Sequence, residues 1–370
     1  MSETRNTDRR QPHLDGVRGV AILFVLAWHY LGCQVASDAP WILRAAKLAS
    51  NPMWSGVDLF FVLSGFLICG ILLDHKNASN YFQVFYWRRI CRIFPLYFLL
   101  VGSFLGGSIL FGTDERFSDL FTGRVPIWTY CVFIQNYWMS MLDEYGCRWL
   151  AVTWSLAVEE QFYMIIPLIV WWSSRRFLLA LFCAGIIAAP LLRLWLPGFH
   201  AMATLPWRGE GLCFGGLLAM LVRNQSFVHW AKSLPRTTWL GWLIASMMIV
   251  GVLEIFNLQP GWQMVWTRTL GYAVLVLLAT LQPAGIRLSF LSHPWLVWFG
   301  LRSYSIYLLH ELIVGLAHGY FRGEAPKIHQ WSDFGLTFAA LVVTLVISAL
   351  SYSRIEVPMM KIGHKLRYAE

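Results

Sequence analysis

At 370 residues, with 57% hydrophobic and 13% charged side chains, the chain has far fewer charges than a soluble surface needs, and its apolar runs approach the roughly 20 residues that cross a bilayer. A net charge of +9 would suit nucleic acid, but the basic residues gather in short loops between apolar runs, as membrane topology requires, so no nucleic-acid partner is expected. Alternating barrel strands are absent, and seven scattered cysteines without CxxC or CxxH spacing argue against a zinc or redox motif.

The polar N-terminal stretch 1–13, with Arg5, Arg9 and Arg10, runs straight into an apolar segment, and no cleavable leader is expected. The first span is expected from about Gly16 to Gln34, apolar yet carrying Arg18 and His29. Ionisable groups in lipid are rare and commonly face a protein interior or an aqueous cavity, which makes both functional candidates. At about 1.5 Å of rise per residue they stand roughly 16 Å apart along the helix, one at a membrane face and the other deep inside. Taken singly, Arg18 also fits a snorkelling anchor and His29 a hydrogen-bonded packing residue. Asp15, just ahead of them, is expected to cap the helix.

A second span is expected from Trp54 to Leu73, with Asp58 near its outer start, there either to orient His29 or to cap the helix. A basic loop with Lys76, Arg88, Arg89 and Arg92 precedes a third span from Ile93 to Phe111. Arg89 and Arg92 are one helical turn apart and share a face. Guanidinium forks so placed suit phosphate groups, while anchoring against lipid phosphate is the more ordinary reason for such a cluster. Residues 127–142 are apolar but short, with Gln135 and Asn136 in the middle, and are expected to be re-entrant or to lie on the outer face.

A span from Trp154 to Trp172 carries Ser155, Glu159 and Glu160 in its first turns, at a depth comparable with His29. Ser155 and Glu160 fit a capping pattern at a helix N-terminus. Glu159 lies on another face and is the carboxylate expected to pair with His29. Further spans are expected near Phe177 to Leu196, Gly209 to Val222, Thr238 to Phe256, Met264 to Leu281, Phe299 to Tyr320 and Phe334 to Tyr352. Arg208 and Glu210, at the outer start of one, suit an acceptor site or each other. His310 suits an interhelical hydrogen bond or a second functional imidazole.

The Lys and Arg distribution puts both termini in the cytoplasm, provided 127–142 does not cross. Arg175, Arg176, Arg223, Lys232, Arg236, Arg287 and the tail residues Arg354, Lys361, Lys365 and Arg367 then lie inside with the first clusters. The expected architecture is all-α and polytopic, about ten transmembrane helices in the plasma membrane, the inner one if there are two. One membrane domain, 14–358, lies between cytoplasmic tails 1–13 and 359–370. The sequons at Asn77 and Asn224 fall inside and are taken as chance matches. Cys33 and Cys147 are the pair that would meet outside, with nothing in their spacing to support a disulfide.

These groups define a polarity: a basic mouth at the cytoplasm, Arg18 at an entrance, and a His with carboxylates in the outer half. A long molecule with an anionic head and a reactive tip fits it. Coenzyme A is such a molecule, with an extended pantetheine arm comparable to the separation of Arg18 and His29.

LDGVRGVAILFVLAWHY, in which Arg18 and His29 are separated by ten residues, resembles the opening signature of the membrane acyltransferase 3 family. Ser55 to Phe66 is similar to its second-helix motif, and Arg88 to Tyr97 (RRICRIFPLY) to its cytoplasmic arginine motif. WSLAVEEQFY, Trp154 to Tyr163, resembles its WSLxxExxFY motif, with Glu159 at the more characteristic position. RSYSIYLLHE, Arg302 to Glu311, resembles its SYxxYLxH segment through Ser303, Tyr304, Tyr307 and His310. The likeness covers roughly Leu14 to Pro358, and Tyr304 and Tyr307 suit packing as well as a supporting role. It implies O-acylation of cell-surface or extracytoplasmic glycans. Members with a soluble esterase-like domain after the last span have a part with no counterpart before Glu370, so transfer is expected to finish in the membrane domain or in a partner.

The reading is therefore an integral membrane O-acyltransferase. Acetyl-CoA or another acyl-CoA is the donor, held by Arg18, Arg89 and Arg92, and no metal is required. His29 is the expected general base and Glu159 its orienting partner. The acceptor is a glycan or lipid-linked sugar hydroxyl outside. The rival is a transporter or export component that uses the same polar path to relay protons through His29 and Glu159.

Overall fold

The computed structural model describes residues 11–196, 198, 203–255, 265–283 and 288–369. Arg5, Arg9, Arg10 and Arg287, which enter the topology argument, and the expected span ends Phe256 and Met264 lie outside the described residues. Among the described residues the chain is helical, with one isolated backbone bridge between Val35 and Ile328.

Helix α1 (Pro12–Ala27) opens on proline at its first position, where the missing N–H costs nothing. It continues into a π turn over Trp28–Gly32. Helix α2 (Trp41–Ser50) leads through the 3₁₀ turn Asn51–Ser55 into α3 (Gly56–Asp74). The long α4 (Tyr81–Phe111) follows, and then the short helices Ser118–Phe121, Ile127–Cys131, Gln135–Leu142 and Arg148–Ala151. The remaining long elements are α5 (Thr153–Trp172), α6 (Arg175–Trp195), α7 (Glu210–Leu221), α8 (Arg236–Ile255), α9 (Val265–Leu281), α10 (Ser303–Arg322), α11 (Trp331–Ser351) and α12 (Val357–Lys365).

Helix α3 is apolar on every side and correspondingly central, touching α1, α5, α7 and α9. Its contact with α7 is a backbone approach. A Cβ on Gly65 would lie 2.1 Å from the Leu212 carbonyl oxygen, so only glycine allows the two helices to meet there. Around the periphery large apolar side chains point outward, among them Ile109 at 84% and Trp172 at 83% exposure, a surface that hydrocarbon accepts and water does not.

Five helical stretches among the described residues are long and apolar enough to cross a bilayer: Pro12–Gly32, Trp41–Asp74, Tyr81–Phe111, Arg175–Trp195 and Trp331–Lys365. The pair Glu210–Leu221 and Gln225–Ser233, bent by 98°, makes a sixth if it is one span. Of the other expected spans, α5 and α10 have spanning length but carry Glu159, Glu160, His310 and Glu311, and α9 has only 17 residues.

Two expected boundaries shift. Helix α4 begins at Tyr81 rather than Ile93, so Arg88, Arg89 and Arg92 are inside a helix of 31 residues and not in a loop. The expected span from Phe299 is interrupted at Arg302, where Pro294–Leu301 gives way to α10. Residues 127–142 form two helices of 5 and 8 residues, each too short to cross. They turn at Phe133, whose φ is 56°. The central amides are buried there: Gln135 donates to the Thr153 carbonyl at 3.1 Å and Asn136 to that of Ala203 at 2.9 Å. All seven cysteines are free thiols, Cys33 exposed and Cys147 buried.

Candidate functional site: three cavities in succession

Arg18, on the first turns of α1, and the α4 arginines converge on one end of the molecule. A cavity of about 370 Å³ there is lined by Arg18, Arg88, Arg89 and Arg92 together with His75 and Tyr368. Arg18 is paired with Asp15 at 3.2 Å, which gives Asp15 a task other than the expected cap; Gln11 stands at the N-cap and makes no side-chain bond. Arg92 reaches the Met360 sulfur at 3.1 Å. The Arg89 Nε is buried without a hydrogen-bond partner, a state that an anion in the cavity would relieve.

Arg18, Arg89 and Arg92 also line the next cavity, about 120 Å³, where they meet Glu159, Tyr304 and Tyr307. Glu159 accepts from Ser64 at 2.9 Å and from Tyr163 at 3.0 Å, two donors that hold it toward the guanidinium side. Tyr304 donates to the Ile93 carbonyl at 2.7 Å. Ser155 does not cap its helix: α5 begins at Thr153, and the Ser155 hydroxyl lies 2.6 Å from that of Tyr307. Glu160 is past the first turn, contrary to the capping expectation, and its Oε1 is buried without a partner.

Val57 and Tyr307 form the wall shared with a third cavity, about 690 Å³, at the opposite end. His29, Glu311, Arg148, Asp119, Arg208 and Trp154 face it. His29 lies in the π turn that ends the first helix, a local widening of the ladder that is frequent at functional positions. Its Nδ1 is 2.9 Å from the Val25 carbonyl, which can only accept, so Nδ1 carries the proton and Nε2 presents a lone pair. That Nε2 is 3.9 Å from Glu311 Oε1.

His310 repeats the arrangement. Its Nδ1 contacts the Tyr307 carbonyl at 2.7 Å, its buried Nε2 has no hydrogen-bond partner and lies 4.0 Å from the same carboxylate oxygen, and its ring centroid is 4.8 Å from that of His29. Three lone pairs therefore converge without a donor among them. A proton taken up by an imidazole here would be balanced by the neighbouring carboxylate, an arrangement that suits a general base. Glu311 is held in turn by Arg148, which also grips Asp119. The same three groups, whose ligand atoms all lie within 4.8 Å of one another, are also the set among the described residues close enough to share a metal ion, although Arg148 already occupies the other Glu311 oxygen.

The expected residues thus divide between two cavities. Arg18, Arg89, Arg92 and Glu159 share the middle one; the carboxylate beside His29 is Glu311, on α10, not Glu159. Asp58 is committed to Arg208 at 2.8 Å in a buried pair, so it is neither a helix cap nor the partner of His29. Glu210 pairs with Arg193, and the Arg208 guanidinium also lies over Trp54 and Trp154, 5.2 and 5.7 Å from their ring centres. Glu311 follows His310 directly in the motif RSYSIYLLHE, but adjacent residues do not ordinarily share a helix face, so adjacency gave no reason to choose it. Arg148 and Asp119 come from short connecting helices, where no periodicity marks them.

A family model described as an acyltransferase domain, acyltransferase 3, matches residues 12–353. The O-acetyltransferase OatA of Staphylococcus aureus (strain NCTC 8325 / PS 47) is 24% identical, over 98% of this chain and 59% of its own length. The peptidoglycan O-acetyltransferase OatA of Listeria monocytogenes is 28% identical, over 97% of this chain and 57% of its own. The chain thus spans less than two thirds of the length of the curated relatives it matches. No solved structure matches it.

Proposed function

Because this chain belongs to the acyltransferase 3 family, we propose that it is an integral membrane O-acyltransferase that moves an acetyl group from coenzyme A to a hydroxyl of an extracytoplasmic or lipid-linked glycan. In this reading it has about ten spans, both termini are cytoplasmic, and the basic end faces the cytoplasm. The observation that carries the proposal is the succession of three cavities, arginine-lined at one end and lined at the other by His29 and Glu311.

Arg89 and Arg92 hold the donor phosphates and Arg18 the upper arm, since guanidinium forks match phosphate oxygens. The pantetheine arm follows the middle cavity past Glu159. His29 Nε2 takes the proton of the acceptor hydroxyl as its oxygen attacks the thioester carbonyl carbon. The C–S bond then breaks, and the departing thiolate takes that proton from the imidazolium. Glu311 stabilises the imidazolium between these steps, the function first assigned by sequence to Glu159. Trp28, which lines the outer cavity, provides an apolar face on which a sugar ring can stack.

The test is incubation of the purified protein with labelled acetyl-CoA and candidate glycans, followed by intact mass of both protein and glycan. Label should pass to the glycan with release of coenzyme A, and His29→Ala should reduce transfer by at least about 10²-fold while leaving the melting temperature unchanged. Intact thioester after incubation with active preparations would instead favour an export component.

A further inference from the structure

The last residues described are fastened over the arginine cavity. Helix α12 lies along α4, with Gly363 against Cys91, where a Cβ would stand 3.1 Å from the Cys91 Cβ. Beyond it Leu366 accepts from Arg88, at 3.3 Å from Nε and 3.1 Å from Nη2. Asn80 clamps the next residues on both sides, donating to the Arg367 carbonyl at 2.8 Å and accepting from the Ala369 amide at 2.9 Å.

This strap brings Tyr368 to the cavity wall. Its ring stacks on His75 with centroids 3.9 Å apart and planes 21° from parallel, and the Arg88 guanidinium lies 5.3 Å from the ring centre. The Tyr368 hydroxyl is buried without a hydrogen-bond partner, as is Nε of Arg89 in the same cavity. A paired aromatic shelf, unsatisfied polar atoms and a group of guanidiniums in one cavity form a combination suited to a planar base attached to phosphates. Stacking accepts any π-face, and arginine supplies the charge.

We propose that His75 and Tyr368 are the base-recognition site for the nucleotide end of the donor. This rests on the donor reading above and adds to it the residues that distinguish a nucleotide thioester from a simple pantetheine thioester. The face-to-face pair is the closed form of the site, and the base takes one of the two places in the stack while the phosphates extend toward Arg89 and Arg92.

Calorimetry on the purified full chain, with coenzyme A and 4′-phosphopantetheine as probes, tests it. The unsubstituted protein should bind coenzyme A more tightly, and Tyr368→Ala should weaken coenzyme A on the order of tenfold, the value of one stacked base, while leaving phosphopantetheine unchanged. Tyr368→Phe keeps the ring and should keep the affinity. Equal affinity of the unsubstituted protein for both probes, or a Tyr368→Ala that weakens both alike, overturns the base site and leaves the acyltransferase reading standing. Binding of neither probe overturns the donor reading itself, and this site with it.

Discussion

At the scale of single residues, the outer cavity depends on which atoms have already spent their protons. His29 and His310 both give Nδ1–H to backbone carbonyls of their own helices, so their Nε2 lone pairs are set by local geometry before any neighbour acts. Glu311 then makes the shared point negative, and Arg148 keeps that carboxylate from being an uncompensated buried charge. Glu311→Gln should therefore lower kcat by about tenfold to a hundredfold, part of the roughly 10²–10⁴-fold that acid–base catalysis provides, with KM for acetyl-CoA unchanged. Glu311→Asp, which restores the charge, should recover part of the loss. Steady-state kinetics on the two variants checks this: a rise in KM equal to the fall in kcat, or no recovery with aspartate, would make Glu311 a packing residue only.

At the scale of elements, the sequence marks residue type better than placement. The arginines of α4 and the imidazole in the π turn after α1 were legible because charge in an apolar run is anomalous on its face. Their partners were not. Asp58 and Arg208 meet across elements distant in the chain, and Glu210 and Arg193 across successive helices, and no spacing on one helix announces such a pair. The start of α4 was misplaced by twelve residues, from Ile93 back to Tyr81, because a hydropathy argument ends a span where charge begins whereas the backbone ladder does not. The glycine contacts were silent for the same reason, being a matter of which helix faces which. Gly65→Ala should cost about 1–3 kcal/mol of stability, since its new methyl would meet the α7 backbone rather than a yielding side chain. Gly102→Ala on α4, with nothing within 4 Å of the added carbon, should be neutral or slightly stabilising. Melting temperatures of the two variants in detergent decide it; equal shifts would mean that the α3–α7 approach is looser than described.

At the scale of the molecule, the all-α architecture and the polarity from basic to imidazole-bearing end follow from composition and charge distribution, while the number of crossings does not, because the helices that carry the candidate site are the least apolar ones. The proposed sidedness has a direct check. Glu324→Cys lies on the exposed loop after α10 and Ala369→Cys on the strap, at opposite ends of the cavity series. In intact cells an impermeant maleimide should label the first, in a background without native cysteines, and the second only after permeabilisation. The reverse pattern would invert the protein and remove the donor from its expected compartment.

The narrow middle cavity has one further consequence. In the proposed reaction donor and acceptor approach from opposite faces of an energised bilayer, so a continuous file of water between them would discharge the gradient that the cell maintains. In that reaction a middle cavity of about 120 Å³, crowded by tyrosines and sharing Val57 and Tyr307 with the outer one, would have to act as an insulator as well as a conduit. Only a slender thioester arm replaces the seal while it is broken, which ties electrical tightness and turnover to the same few side chains.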